Sequence, residues 1–343
     1  MKKNVLKTVC SLMLTALLFM GCQKITEELK PVEDLQDQQH AKSNDGDKSK
    51  CQLSRILWSD GLQFDFTYNR KGLADMWLVT YGPGDYQEHQ IKYNNNNRIK
   101  STRVTDPIYL PGDAVNYTFY DDGNFTTRAL GYLESGEIWG DIFYTYNNKG
   151  QMTREDDIVR DYHTRFYYNN MGFNTKVDFY IGTDLLYRYT YEFKIPNKNP
   201  YLAVNGVEFG FPFYTFPLFD KRWESRGTGI YYEEGTPYVF YDLDPAQTTM
   251  QTGTHNYMTY SSYYDMANET PGNVTCTYQN CGGDNDDDDF NKTTTPSSAK
   301  TAGPLSIRNK LNQILSRPSK NMKQELKDFK RQYFSQLKPM TSK

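Results

Sequence analysis

Five cysteines, four histidines and a few clustered carboxylates are the side chains of this chain that could do covalent, metal or acid–base chemistry. His40, His89, His163 and His255 are scattered, with no two at ligand spacing on one element, so surface or core roles are expected of them. Cys276 and Cys281 form a Cys-x4-Cys without a second ligand pair, and no metal site is expected. No Gly-x-Ser-x-Gly, His-Glu-x-x-His or phosphate loop occurs, so no catalytic residue and no cofactor is expected. A glycosidase needs only two carboxylates correctly separated in space, which keeps a carbohydrate-active enzyme as an alternative. Glu155, Asp156 and Asp157 are the tempting cluster, yet a solvated strand end or turn explains them better. The acidic run Asp284–Asp289 departs from a calcium loop, having Asp289 at the sixth place and Thr295 at the twelfth. It reads as a flexible acidic linker, continued by the Thr/Ser/Pro stretch Thr293 to Ser298.

The cysteines also report the compartment. Lys2, Lys3 and Lys7 precede a largely apolar run from Val9 to Met20, too short and too early for a transmembrane helix. Leu18-Phe19-Met20-Gly21-Cys22 resembles a bacterial lipobox, which makes residues 1–21 a signal peptide and Cys22 the lipid-bearing residue. Acyl chains such as palmitate, at ~0.8 kcal/mol per buried methylene, would anchor the chain. Residues 22–50 lack apolar periodicity and form a disordered stem, whose start, Gln23 to Glu28, is similar to the acidic signals exporting Bacteroidetes lipoproteins to the cell surface. Surface exposure is favoured over the periplasmic face. In that oxidising compartment Cys51, Cys276 and Cys281 allow three pairings, of which the local Cys276–Cys281 is preferred.

The elements that must carry these residues are repetitive. Five segments share a grammar of an aromatic or apolar residue, one spacer, an aromatic, three spacers and then Gly or Asn. They are Phe66–Tyr68 to Gly72, Ile91–Tyr93 to Asn97, Tyr117–Phe119 to Gly123, Tyr144–Tyr146 to Gly150 and Phe166–Tyr168 to Gly172. Residues two apart share one face of a strand. Gly, and less readily Asn, accepts the positive φ that reverses the chain. From Tyr187 to Ile195 the alternation is cleanest, with Tyr187, Tyr189, Tyr191, Phe193 and Ile195 on one face. The fold expected over 51–281 is all-β, an antiparallel meander of hairpins curled into an open barrel or wrapped sheet.

This Tyr-x-Tyr-Asn-x-x-Gly grammar resembles, in degenerate form, the YD repeats of RHS-type proteins. With the lipobox and Asn199-Pro200, residues 52–265 look like a Bacteroidetes lipoprotein family built on a domain of unknown function. The resemblance implies the β fold and brings no catalytic residues; a closed toxin-enclosing shell would need many more repeats. From Pro196 to Gly229 four prolines interrupt the pattern, which predicts an excursion capping the sheet. Its Phe211, Phe213, Tyr214, Phe216 and Trp223 could face a sugar or protein partner, although burial as an end plug is the preferred role.

The remaining tail is different in kind. Residues 302–343 carry ten Lys or Arg against Glu325 and Asp328, net +8, while the signal carries +3. With -3 overall, residues 22–301 therefore hold -3 - 3 - 8 = -14. Met322, Leu326, Phe329, Tyr333 and Leu337 recur at helical spacing after Pro318-Ser319 and before Pro339, and Ile307, Leu311, Ile314 and Leu315 suggest a shorter helix upstream. This basic helical tail could meet a membrane, a partner or the protein's own acidic body. The domain order expected is signal 1–21, lipidated stem 22–50, β repeats 51–281, linker 282–301 and helical tail 302–343. The function expected is a surface-exposed, outer-membrane lipoprotein acting as a binding or scaffold module for a glycan or protein, not for nucleic acid. An assembly component holding a partner through its C-terminal helices is the other alternative.

Overall fold

A computed structural model describes residues 51–198, 203–204, 222–233, 236–253, 257–281, 310–311, 313–314, 322–333 and 338–339. Of 193–198, 222–225, 233, 322–323, 330 and 338–339 it describes the backbone alone. The chain divides into two units, 1–42 and 43–343; the described residues all belong to the second.

Strands β1 (Gln52–Trp58), β2 (Gln63–Tyr68), β3 (Ala74–Gly82), β4 (Asp85–Tyr93), β5 (Ile99–Thr105) and β6 (Val115–Asp121) begin a meander. It continues through β7 (Thr126–Leu133), β8 (Ile138–Tyr146), β9 (Met152–Asp157), β10 (Tyr162–Tyr168), β11 (Asn174–Ile181) and β12 (Asp184–Lys198). Then follow β13 (Arg222–Glu233), β14 (Thr236–Asp242), β15 (Thr249–Thr252), β16 (Met258–Asp265) and β17 (Thr270–Gln279). Antiparallel ladders join each strand to the next from β1 to β14, and again from β15 to β17. β17 then pairs with β1, bringing the two ends of the meander together. Among the described residues no ladder closes the sheet into a barrel; an isolated bridge, Leu243 to Asp265, links the end of β14 to the end of β16. The all-β antiparallel meander is what the alternation predicted.

The repeats explain the hairpins atom by atom. In four of the five units, the residue after the second aromatic is an asparagine whose Oδ1 accepts two backbone N–H groups. Asn69 takes those of Lys71 and Leu73, Asn94 those of Asn96 and Arg98, Asn147 those of Lys149 and Gln151, and Asn169 those of Met171 and Phe173. Such Asx turns compete with strand continuation and set the reversal. Asn97 sits at φ 58 where Gly72 sits at 75, so it does replace glycine at a left-handed position. A bulge precedes each turn, and the tyrosine there reaches back across the sheet. Tyr68, Tyr146 and Tyr168 donate their Oη–H to the carbonyls of Leu53 (2.6 Å), Thr126 (2.8 Å) and Met152 (2.7 Å). Tyr278 does the same to Met258 outside the repeats, at 2.7 Å.

The third unit matches in spacing but not in structure. Its turn is one residue shorter: Asp122 stands in the asparagine place and accepts from Asn124 and Phe125, while Asp121 occupies the position of the tyrosine. β12 also differs from expectation, since it runs on to Lys198 and includes Pro196. The register with β13 slips between Phe193 and Lys198, which accommodates a residue lacking a ladder donor.

The disulfide overturns the preferred pairing: Cys51 is bonded to Cys281, and Cys276 is a buried free thiol rather than the partner of Cys281. Cys276 lies within β17 opposite Ile56 and points into the core. Strand geometry carries the chain ~10 Å from there to Gln279, whereas bonded cysteines need Cα atoms within ~7 Å. Pairing β1 with β17 instead sets the Cα atoms of Cys51 and Cys281 4.0 Å apart.

The tail packs on its own body. Helix α1 (Met322–Tyr333) buries Leu326 and Phe329 in the same core as the sheet, and Leu311 and Ile314, both helical, join them. Gln313 Nε2 donates to Asp85 Oδ2 at 2.9 Å, at the β3–β4 turn. A two-residue strand, β18 (Lys338–Pro339), pairs with β14 on its open edge, a place where proline is tolerated. Pro339, expected only as a helix stop, is thus an edge-strand residue.

Candidate functional site

The tempting carboxylates form a buried cluster, opposite to expectation. Glu155 is 5% exposed and Asp157 1%, so they are core residues and not a solvated strand end. The reason is alternation on β9: Glu155 and Asp157 face inward, and Asp156 faces outward, where Arg154 Nη2 approaches its Oδ1 at 2.6 Å.

Asp157 opens the β9–β10 turn. Its Oδ1 accepts the N–H groups of Val159 and Arg160, both at 3.0 Å, and its Oδ2 accepts Arg160 Nε–H at 2.6 Å. Both ends of this ion pair are buried, with side chains 8% and 0% exposed. Such a pair is tolerable only when fully hydrogen-bonded. Arg160 Nη2 donates to Tyr162 Oη at 2.9 Å, and the guanidinium carbon lies 4.9 Å from the Tyr162 ring centroid. Gly140 on β8 makes room: a Cβ there would stand 3.0 Å from Asp157 Oδ2 and 3.4 Å from Arg160 Nη2. On the adjacent β7, Gly131 lies beneath the Tyr117 ring, where a Cβ would come within 2.5 Å. An aromatic covering a glycine on the neighbouring strand is a recognised sheet device.

Glu155 is the unusual member. Its Oε2 is buried and makes no hydrogen bond among the described residues. Burial pushes its carboxyl up to about 8, against the opposing pull of Arg160, so the group is protonated at neutral pH. Burial likewise pushes Tyr117 up to about 12 and Tyr162 and Tyr187 well above their ordinary range. A neutral buried acid beside a fixed ion pair can hold or release one proton, and can donate a hydrogen bond to a polar group admitted beside it. Among the described residues no group of His, Cys, Asp and Glu could hold a metal.

Other residues singled out from the sequence fall as follows. His89 is a core residue, bonded through Nε2 to Gln87 Oε1 at 2.8 Å, and burial pushes it down to about 3. His163 is half-buried on the outer face, stacked on Tyr180 at 4.5 Å. Cys22, His40, His255, Phe211, Phe213, Tyr214, Phe216 and the Asp284–Asp289 run lie outside the described residues, as does the Trp223 side chain. Arg160 escaped the sequence reading. The available signal was Gly140 inside a strand, which marks a close approach of another group.

No protein-family model matches the chain, and no curated protein matches it. Among solved structures, it is similar to a porin-like protein from Bacteroides uniformis, at 12% identity and a TM-score of 0.41, over 67% of this chain and 96% of that one. A porin-like protein from Bacteroides vulgatus matches at 6% identity and a TM-score of 0.33, over 66% and 98%. A Photorhabdus luminescens Tc holotoxin pore matches at 9% identity and a TM-score of 0.20, over 61% of this chain but 13% of that one. No helix among the described residues is long and apolar enough to cross a membrane.

Proposed function

We propose that this protein is an outer-membrane lipoprotein, anchored through Cys22 and facing the cell surface, whose β meander serves as a binding or scaffold module. The observation that carries the reading is the Cys51–Cys281 disulfide, which joins the two ends of the meander. Disulfides persist in oxidising, extracytoplasmic compartments, in agreement with the lipobox at Cys22. The inward face of the sheet is packed with aromatic side chains, so recognition falls to the outer face and the loops. Surface proteolysis of intact cells, with metabolic palmitate labelling, tests the reading. Residues 51–281 should be cleaved, and Cys22→Ala should abolish the label; complete protection defeats the surface claim, and a retained label defeats the anchor.

A carbohydrate-active enzyme is the second reading, favoured by protonated Glu155 next to Asp157. Their burial argues against it. Hydrolysis of a panel of polysaccharides, lost in Glu155→Gln, would restore it.

A further inference from the structure

We propose that the outer face of β6 to β11 binds a polysaccharide bearing carboxylate or sulfate groups. This rests on the binding-module reading and gives it a place and a ligand class.

The face has an aromatic half and a cationic half. Tyr120, Arg128 and Phe143 stand opposite one another across β6, β7 and β8. The Arg128 guanidinium lies 5.7 Å from the Tyr120 ring centroid and 5.2 Å from that of Phe143, and both of its forks bind Asp141, at 2.7 and 2.9 Å. It therefore braces two exposed rings while its own charge is satisfied. Tyr120 is 45% exposed and Phe143 38%, and Tyr132 and Ile138 extend the same exposed patch. Large exposed aromatics grouped on one face mark binding surfaces.

The cationic half adjoins it. Register places Arg154 of β9 directly opposite Arg165 of β10, an arrangement of like charges that destabilises a sheet. Carboxylates relieve it only in part: Arg154 has Asp156 as a partner, and Asp178 of β11 stands directly opposite Arg165 on the other side but is shared with other cations. Asp156 is taken by Arg154, and Asp178 is held by Arg188 at 2.6 and 2.9 Å with Lys176 at 3.6 Å. Arg165 is exposed, makes no ion pair among the described residues, and rests 5.0 Å from the Tyr180 ring centroid. Arg165 is thus the cation for which a ligand would supply the partner. An anionic group seated on Arg165 would do so.

The occupant must span both halves. β6 to β10 is four strand spacings, ~19 Å, long enough for a chain of sugar rings with apolar faces on Tyr120 and Phe143 and acidic groups on the arginines. A peptide strand would seek an open sheet edge. β6 to β11 are interior strands with both edges paired, so this face offers side chains only.

Equilibrium binding of the full chain to polygalacturonate, chondroitin sulfate, neutral dextran and polyglutamate, at low and high salt, tests this. Both acidic polysaccharides should bind, weakening with salt, and Arg165→Ala should reduce binding roughly tenfold or more. Arg165→Lys should retain most of it, and Arg55→Ala, at an exposed arginine on β1, should change nothing. Tyr120→Ala with Phe143→Ala should weaken polysaccharide but not polyglutamate binding. No binding, equal binding of dextran or polyglutamate, or equal losses in the Arg55 and Arg165 variants would overturn the proposal. A glycan array positive for a ligand that ignores Arg165 would remove this site while leaving the binding module standing.

Discussion

Replacing Glu155 by glutamine should make the protein more stable in alkali and leave it unchanged in acid. The Glu155 carboxyl is held at about 8 in the folded state, by burial, against 4.5 ordinarily. Between these values the folded state keeps a proton that the unfolded chain releases, so stability is lost as pH rises from 4.5 through 8. At about 1.4 kcal/mol per pH unit, the loss is about 3 kcal/mol at pH 7 and about 5 kcal/mol above pH 8. That is a large share of a domain's usual ~5–15 kcal/mol. Glutamine keeps the shape, carries no charge, and places its amide where Oε2 already lacks a partner. Urea unfolding of both proteins at pH 5, 7 and 9 gives the difference directly, and subtraction cancels the other titrating groups, His89 and His163 among them. The difference should be near zero at pH 5 and reach several kcal/mol at pH 9. A difference independent of pH would mean that the carboxyl is solvated, and the account of the buried cluster would fall.

Three further outcomes are expected. Cys51→Ser or Cys281→Ser opens a loop of 230 residues and should cost up to ~5 kcal/mol by chain entropy, whereas Cys276→Ser should leave the disulfide intact by thiol counting under denaturation. Tyr68→Phe and Tyr168→Phe each remove a hydroxyl bonded to a backbone carbonyl, at ~1 kcal/mol apiece in denaturant titrations. Phe329→Ala should destabilise the β body itself by ~3–5 kcal/mol, because the helix is part of its core; an unchanged unfolding midpoint would make the tail a separate appendage.

Much of the fold was legible because it is local. An asparagine followed three residues later by Gly or Asn reverses the chain through its own side chain, and aromatics two apart must share a face. That reasoning failed in the third unit, where Phe119 and Gly123 keep the spacing but Asp122 starts a shorter turn. Spacing does not say which residue begins a reversal. The site was less legible. Glu155, Asp156 and Asp157 look alike in sequence, and an acidic triplet is ordinarily solvated. Burial of two of them depends on Arg160 folding back in the turn and on Gly140 leaving space across a strand boundary.

By itself the sequence determined where four of the five repeats turn, which residues alternate, and that the tail is an amphipathic helix, since these follow from backbone preference and side-chain period over a few residues. Tertiary structure alone decided which alternating face is inside, that Cys51 meets Cys281 across the meeting of β1 and β17, and that the apolar stripe of the helix is buried at home. Each of those depends on which distant strands become neighbours, and no short window of sequence contains that choice.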